Sequence, residues 1–226
     1  MTDVNQRFFD AYLTAFPPNV VYTESFPAEM KTSEIDEDGW IKWRLIPGTL
    51  QLSDYLALEK KFKVVFPASF INWHKAFFFL DADCSLFRLP VSNPTGPLKD
   101  LEEELDWYIP EQLIPHKLYP FASEGNDAGH LVFEGRIPKE DNEFPIRVYD
   151  DDYGGNLDGL SEIIFSSFDK LLECITHYME SLKTKQNFEI IPDFFKIDPE
   201  GAGKTGVDYW LGWAGMQKAN FEEFGY

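Results

Sequence analysis

The chain has 226 residues, and 44% of them are hydrophobic and 16% aromatic, which is enough apolar material to bury a sizeable core. The 20 Lys and Arg residues are outnumbered by 39 Asp and Glu residues, so the formal net charge is −19. This balance excludes proteins that hold nucleic acid by its phosphates or dock on anionic membranes, because both need clustered cations. It suits a soluble globular protein, or one that meets a basic partner.

Residues 1–50 predict one helix and one strand pair. Apolar residues recur every three or four positions from Asp3 to Phe16, which is the pattern of an amphipathic helix, and two prolines end it. Val20 to Phe26 and Glu34 to Ile46 follow with strand character. The Asp38-Gly39 pair is typical of a hairpin turn, so we expect a strand pair with one face in water.

The next part of the chain predicts mostly helices. Ser53 is placed as the N-cap of a helix that continues to Phe62, and a second helix is expected from Ala68 to Phe78. Leu86 to Val91 indicates a short strand. Leu98 to Asp106 is acidic and predicts a short, exposed helix.

The centre of the chain changes to strand character. Three short runs, separated by turn-rich segments, are expected to form strands: Leu118 to Ala122, His130 to Glu134 and Ile146 to Tyr149. The clearest helix follows, because apolar residues from Phe168 to Leu182 fall at helical spacing, with Ser166 as its expected cap. Near the end, a short helix around Trp210 to Phe221 is predicted.

These elements predict an α+β fold with a mixed, meander-type sheet of short strands packed against helices. No linker divides the chain, so we expect one core domain over residues 51–183. Residues 1–50 are expected to form an N-terminal extension of helix and hairpin, and residues 184–226 a C-terminal extension packed on the core.

The sequence predicts a cytoplasmic location. The first ten residues contain no apolar signal-peptide core, and the longest apolar run, Ala76 to Leu80, is too short to span a bilayer. Cys84 and Cys174 lie far apart and form no disulfide framework or zinc pattern, so we expect two reduced thiols.

Motifs for a cofactor, a metal or a catalytic nucleophile are absent or incomplete. Gly201 to Thr205 (GAGKT) lacks the first glycine of a phosphate loop, where Asp198 stands instead, so a flexible loop is expected. Asp150 to Asp152 lacks the alternate ligand spacing and the closing Glu of a calcium loop. The histidines are isolated and match no metal-binding or nucleophile motif: His74, His116, His130 and His177. We therefore expect no cofactor, no metal site and no catalytic residue.

The tryptophans leave two interpretations open. Trp40, Trp43, Trp73 and Trp107 either line a groove or pack in the core. A tryptophan or tyrosine exposed among acidic residues would suit a protein interface, because aromatic side chains anchor such contacts.

Four stretches of the chain form a series with a recognisable order. They are LEKKF with FPASFI (residues 58–71), YPFASEGND (119–127), PIRVYDDD (145–152) and SSFDKLL (166–172). This series resembles the SUKH superfamily, which includes yeast regulators of glucan synthesis and many bacterial immunity proteins. The resemblance covers residues 52–183 and departs after the second helix, where Phe77 to Asp81 replaces the family's frequent Asn-Gly-Gly.

The resemblance implies an immunity-type protein, not an enzyme, that binds and neutralises a cognate toxin. Such toxins are commonly nucleases, and a nuclease is usually basic because it must hold phosphates. An acidic inhibitor can be steered to that surface by its charge. The candidate contact residues are those of the acidic loops and their neighbour Tyr153: Glu102, Glu103, Asp106, Glu124, Asp127, Asp150, Asp151, Asp152 and Tyr153.

Two other functions remain open from the sequence. The first is a scaffold or regulatory module like the cell-wall synthesis regulators of the same superfamily, which would bind host proteins and no toxin. The second is an enzyme whose catalytic groups come from distant positions, since a triad does not need a local motif. That alternative requires titratable groups with perturbed pKa values in a common cleft.

Overall fold

The protein's structure is a computed structural model that describes residues 4–126, 129–137, 139 and 142–225. It confirms the predicted α+β class. The helices are Val4–Ala15 (α1), Leu52–Phe62 (α2), Ala68–His74 (α3), Lys99–Leu105 (α4), Tyr108–Leu113 (α5), Phe168–Ser181 (α6), Asn187–Ile197 (α7) and Val207–Phe224 (α8). The strands are Asn19–Val21 (β1), Trp40–Lys42 (β2), Ile46–Pro47 (β3), Phe77–Phe78 (β4), Phe87–Arg88 (β5), Leu118–Glu124 (β6), Gly129–Glu134 (β7) and Ile146–Asp150 (β8). Among the helices of this part of the chain, none has both the length and the apolar character needed to cross a membrane.

The three predicted central strands are confirmed as part of an antiparallel meander with the order β5-β6-β7-β8. Near one end of the meander, His130 on β7 lies opposite Ser123 on β6 and Tyr149 on β8. Every residue of β7 and nearly every residue of β6 is buried, because both faces of the sheet are covered. This double burial explains why these strands are apolar runs rather than alternating sequences.

One face of the meander packs on α3 and α6 through aromatic side chains. The rings of Phe121 on β6 and Phe133 on β7 stack with their centroids 3.9 Å apart. Phe70 of α3 meets both rings edge-on at 5.6 Å, and Phe168 of α6 lies 5.2 Å from Phe70. Aromatic pairs of this kind stabilise a core by about 0.5–1.5 kcal/mol each beyond the area they bury.

The other face of the meander is covered by α5, a helix that the sequence analysis did not predict. A smaller buried cluster forms there from Leu113, Leu118, Val132 and Tyr149. Successive side chains of a strand point to opposite faces, so His130 and Glu134 share this face of β7 with Val132. Both are buried polar side chains, so this face of the sheet carries ionisable groups beneath the apolar residues that cover it.

The two terminal segments contribute to the same main core as the sheet. Phe8 and Phe9 of α1 pack against Trp73 of α3, with ring centroids 5.6 and 6.0 Å apart. Near the other end of the chain, the ring of Trp210 on α8 lies 5.2 Å from that of Phe165. The domain boundaries placed after residues 50 and 183 stay a prediction.

The predicted helix from Ala68 to Phe78 was wrong at its C-terminal end. Phe77–Phe78 leaves the helix and pairs with Ile46–Pro47 as a short antiparallel strand pair. The chains approach closely beside this pair, since a Cβ on Gly48 would lie 2.1 Å from the Lys75 carbonyl oxygen. The apolar run after α3 is therefore a strand rather than a continuing helix.

The predicted N-terminal strand pair is present in shortened form. Trp40–Lys42 pairs with Asn19–Val21, and the long runs expected on either side are mostly turns. The paired strands are separated by residues 22–39, so the Asp38-Gly39 turn does not join them as the predicted hairpin required. Gly39 adopts a φ of +83° in a local turn from Asp36 to Trp40. The Asp36 carboxylate accepts the N–H of Trp40 at 2.8 Å and so closes the turn.

Helix ends differ from prediction by small amounts. Gln51, rather than Ser53, is the N-cap of α2, where it takes part in a capping box. Ser167, rather than Ser166, caps α6 by accepting the N–H of Lys170. The C-terminal helix is longer than expected and is preceded by α7, which the sequence analysis missed.

The loop predicted at Gly201 to Thr205 was wrong, because this segment is a single π-helical turn fixed to the core. The buried Asp198 carboxylate accepts backbone N–H groups of Ser166 at 2.7 Å, Gly201 at 3.1 Å and Ala202 at 3.3 Å. A Cβ on Gly201 would lie 2.2 Å from the Ser166 nitrogen, so only glycine fits there. The carboxylate therefore organises this turn as part of the core.

Candidate functional site

A cavity of about 230 Å³ lies at one end of the meander, on the face that α5 covers. It is lined by Glu104, Trp107, Ser123, Gly129, His130 and Asp151. These residues come from α4, the α4–α5 junction, β6, β7 and the turn after β8. Sequence-distant titratable groups therefore meet in one small cavity.

The packing of α4 places Glu104 in this cavity. Leu101 and Leu105 lie four residues apart on one face of the helix and are both buried, which orients α4 against the sheet. Glu104 directly precedes Leu105, so it stands at the border between the buried face and the solvent. The helix ends at Leu105, and Trp107 is then the N-cap residue of α5.

His130 is held between two carboxylates. Its Nδ1 lies 2.5 Å from Oε1 of Glu104, and its Nε2 lies 3.5 Å from Oδ2 of Asp151. Burial works against the charged ring, but the hydrogen bond and charge of Glu104 and the charge of Asp151 outweigh it and raise the pKa of His130. The geometry thus favours an imidazolium ring whose two nitrogens both face carboxylates.

The negative charge around His130 exceeds its positive charge. Burial is the largest cause of the raised pKa of Asp151. The negative charges of Glu104, Asp150 and Asp152 raise this pKa further, whereas the positive charge of His130 lowers it. A single imidazolium therefore stands among several carboxylates. The cavity is an environment that favours a further cation.

A glycine brings the two sides of the cavity together. Gly129 has a φ of +136°, and a Cβ there would lie 2.0 Å from the Tyr149 carbonyl oxygen and 3.0 Å from the Asp151 nitrogen. Any larger residue would push the turn after β8 away from β7. Gly129 therefore sets the distance between His130 and Asp151.

The turn after β8 is ordered by its own hydrogen bonds. The Asp150 carboxylate accepts the N–H of Asp152 at 3.0 Å, and the Tyr149 hydroxyl accepts the N–H of Gly155 at 2.7 Å. The same hydroxyl donates to the Asn156 carbonyl at 3.1 Å. Asp151 and Asp152 are thereby presented from a fixed backbone.

Large aromatic side chains stand exposed around the cavity. Trp107 is 65% exposed, Tyr108 63% and Tyr153 49%. Trp107 belongs to the cavity wall itself. Tryptophan and tyrosine are residue types that anchor protein interfaces when a partner covers them.

Of the predicted contact residues that the structure describes, Asp151 alone lines this cavity. Asp106 lines a separate groove with Lys61 and Lys63, and Asp150 and Tyr153 line another beside Leu160. Asp106 adjoins Trp107, and Asp150 to Tyr153 form the turn that supplies Asp151. Glu102 and Glu103 lie on the outer side of α4, where they pair with Lys61 at 3.0 Å and Lys99 at 3.2 Å. Their charges are already partly balanced.

One predicted contact residue needs correction, and another lies outside the described residues. Glu124 is only 2% exposed, and its carboxylate accepts both the N–H and the side-chain amide of Asn126, at 2.6 and 3.0 Å. It orders the turn after β6 and cannot present its charge to a partner. Asp127 falls outside the residues that the structure describes.

Glu104 and His130 were missed as site residues. Glu104 is one acid among several in α4, and only its position beside the buried Leu105 distinguishes it. His130 was isolated in sequence, and its partners come from other elements. Strand alternation could have placed it on the face opposite Leu131, but it could not have named either carboxylate.

The tryptophans do not form one groove. Trp43 and Trp73 are buried in the main core, so the core interpretation holds for them. Trp40 and Trp107 are exposed and lie on different elements, β2 and the α4–α5 junction. Trp107 alone of the four stands among the acidic residues of the cavity.

A more apolar groove between α2 and α3 has fewer polar side chains that could contact a ligand. It is lined in part by Leu52, Leu56 and Ile71. Its carboxylate, Glu59, accepts the backbone N–H of Phe66 at 2.7 Å and is used in the turn between the helices. We therefore place the candidate site at His130.

Other reactive groups of the described chain have structural surroundings. Cys84 and Cys174 are separate and buried, and burial raises the pKa of both thiols. Such thiols are protonated at neutral pH and are poor nucleophiles. Within residues 4–126, 129–137, 139 and 142–225, no three His, Cys, Asp or Glu side chains are grouped to hold a metal ion.

No protein-family model, no curated protein and no solved structure matches this chain. The resemblance to the SUKH superfamily therefore stays a prediction from the four stretches that carry it.

Proposed function

We propose that the protein is a non-enzymatic binding protein of the immunity type, which neutralises a basic, nuclease-type toxin by covering its cationic surface. The observation that carries the proposal is a surface that combines exposed aromatic rings with carboxylates, here called the acidic aromatic face. It consists of two exposed segments, Asp106 to Tyr108 and Asp151 to Tyr153, which meet where Trp107 and Asp151 line the same cavity.

The charges of Asp106 and Asp152 are available to a partner, whereas Asp151 faces His130. Within the described residues, no Lys or Arg forms an ion pair with Asp106, Asp151 or Asp152. The net charge of −19 extends the attraction beyond the contact itself. Such a field speeds association with a basic protein and rejects acidic ones.

The aromatic residues supply the affinity that charge alone does not. Exposed salt bridges contribute about 0–1 kcal/mol each, whereas buried interface tryptophans and tyrosines often contribute 2 kcal/mol or more. Trp107 and Tyr108 are adjacent, and Asp151, two residues before Tyr153, shares the cavity wall with Trp107. A partner that covers the cavity would bury these rings and desolvate the acids between them.

The arrangement of the histidines supports binding rather than catalysis. Both ring nitrogens of His130 face carboxylates, and while the ring is protonated both are N–H donors, so it has no lone pair with which to act as a general base. His74 is buried, with Nδ1 2.7 Å from the Tyr55 hydroxyl and Nε2 3.3 Å from the Val91 carbonyl. Both rings have positions that suit structural or electrostatic roles.

The test is affinity capture from the native host with the tagged full-length protein, salt-stepped elution and mass spectrometry. We expect a basic nuclease-like protein that elutes as the salt concentration rises. Its nuclease activity should then fall to zero when the purified protein is added back at a one-to-one ratio. Capture of envelope-synthesis or signalling proteins would instead support the scaffold alternative, and full nuclease activity in the presence of the protein would overturn the proposal.

A further inference from the structure

The cavity at His130 has the size of one side chain. Its volume of about 230 Å³ lies below the roughly 300–1,000 Å³ of sites for drug-sized ligands. It opens beside Trp107, whose indole is largely exposed. A protruding side chain of a bound protein therefore fits it better than a free cofactor does.

The walls of the cavity match one class of side chain. Glu104 and Asp151 offer carboxylate oxygens, and Trp107 offers an aromatic surface. A guanidinium group stacks on indole rings and forms paired hydrogen bonds with carboxylates, which an ammonium group does less well. The indole and the carboxylates of the cavity wall therefore suit an arginine side chain better than a lysine side chain.

The positive charge that now lies in the cavity, that of protonated His130, can be lost by deprotonation. His130 is the one cationic group among the described lining residues, since Ser123, Trp107 and Gly129 are uncharged. The charged groups that face it are Glu104 from α4 and Asp151 from the turn, with Asp150 and Asp152 adjoining. Unlike an arginine, a histidine can lose its charge near neutral pH.

Resting on the proposed function, we propose that one arginine side chain of the partner enters this cavity, stacks on Trp107 and replaces the proton of His130 as the positive charge between Glu104 and Asp151. The one covalent bond that breaks is an N–H bond of the imidazolium. The guanidinium pairs with the carboxylates, and the imidazolium releases one proton to the buffer. Neutral His130 keeps one N–H, which still donates to one carboxylate.

The release follows from repulsion between like charges. An arginine in the cavity places a second cation beside the imidazolium, which disfavours the charged ring. Binding and deprotonation are then linked, so partner affinity rises with pH while His130 is protonated. The dissociation constant falls by at most about tenfold per pH unit, because one proton is released.

The probe for this proposal is Nα-acetyl-L-arginine amide, titrated into the full-length protein. Ring-proton NMR follows the titration of His130, assigned by the loss of its signal in His130→Asn, and fluorescence follows Trp107. We expect saturable binding that lowers the midpoint of the His130 titration. The neutral control, Nα-acetylglycine amide, should leave both signals unchanged.

Two variants test whether probe binding depends on the cavity itself or only on the overall negative charge of the protein. Glu104→Gln keeps a hydrogen-bonding group beside His130 but removes its charge, so probe binding should weaken about tenfold. Trp107→Ala removes the stacking wall at an exposed position, and its folding is checked by circular dichroism. Trp40→Ala, which changes an exposed tryptophan on β2, should leave probe binding unchanged.

The proposal and the proposed function fail in different ways. The absence of saturable probe binding, or a His130 titration that the probe does not shift, overturns the arginine pocket even if a basic toxin is captured. A captured partner whose affinity does not change between about pH 6 and pH 8 overturns it as well. Failure to inhibit any captured nuclease overturns the proposed function, while a probe-induced shift still supports the pocket.

Discussion

Nδ1 of His130 and Oε1 of Glu104 lie 2.5 Å apart and join β7 to α4 across 26 positions of sequence. This contact joins an acidic helix to the face of the sheet that also carries the apolar residues Val132 and Tyr149. Trp107 stands two residues beyond the end of α4, so a contact that holds α4 on the sheet also constrains where Trp107 can lie. The acidic aromatic face therefore depends on a hydrogen bond that is strongest when His130 is protonated.

The protonated form of His130 is expected to stabilise the fold at low rather than high pH. Its pKa is raised above the reference value of 6.5, so its stabilisation is complete below that value and is lost as the pH rises through the folded-state pKa. Urea unfolding should show a larger loss of stability in His130→Asn at about pH 6 than at about pH 9. An equal loss at both pH values, or a larger one at high pH, would contradict this assignment.

His74 is expected to have the opposite effect. Burial lowers its pKa to about 4, although the hydrogen bond to Val91 opposes this, so the unfolded chain binds a proton before the folded protein does. Stability should fall as the pH drops from about 6.5 to about 4, by about 3 kcal/mol in total. The free energy of unfolding of His74→Gln, measured with urea, should depend much less on pH. An unchanged pH dependence in this variant would show that His74 is not the cause.

The free carboxylates of the acidic aromatic face should control association rate more than affinity. In Asp106→Asn/Asp152→Asn, we expect the association rate constant with the captured partner to fall about two- to tenfold at low salt. The difference should disappear at high salt, because exposed charges are screened. The matched control is Glu24→Gln/Glu37→Gln, which also removes two exposed carboxylates, both outside the face. Stopped-flow fluorescence measures these rates, and equal slowing by the control would assign the effect to net charge alone.

Two glycines of the C-terminal region should respond to alanine in opposite directions. Gly201→Ala places a Cβ 2.2 Å from the Ser166 nitrogen and 2.3 Å from an Asp198 carboxylate oxygen, so we expect a loss of at least about 2 kcal/mol. Gly212 in α8 has nothing within 4 Å of an added Cβ. Gly212→Ala should therefore stabilise the helix by about 0.5–1 kcal/mol. Thermal and urea unfolding of both variants test the pair, and a neutral Gly201→Ala would refute the tight turn at Asp198.

The elements that could be predicted from sequence are those in which a regular pattern of apolar residues continues without interruption. α1 and α6 carry apolar stripes over several turns, and the central strands are continuous apolar runs between turns. α5 and α7 were missed because Pro110 and Pro192 lie within them. In α5 the proline falls in the first turn, where the missing N–H costs no helical hydrogen bond. Phe77–Phe78 was assigned to a helix because a short apolar run has no period of its own.

The candidate site could be predicted only in part, for a related reason. Asp106 and the turn from Asp150 to Tyr153 are marked by local composition, which predicts exposure. The pairing of Glu104 with His130 depends on how α4 crosses the sheet, and no local pattern contains that information. Burial of Glu124 depends in the same way on a turn whose packing partners come from elsewhere, since a Cβ on its neighbour Gly125 would lie 2.2 Å from the Ser85 carbonyl oxygen.

The most direct test of the account compares Trp107→Ala with Trp40→Ala in binding and inhibition of the captured basic partner. Both tryptophans are exposed, and only Trp107 belongs to the acidic aromatic face. We predict that Trp107→Ala raises the dissociation constant at least about tenfold and relieves inhibition, while Trp40→Ala behaves as the unmodified protein. Full binding and inhibition by Trp107→Ala, or their loss in Trp40→Ala alone, would contradict the assignment of this face as the toxin-binding surface.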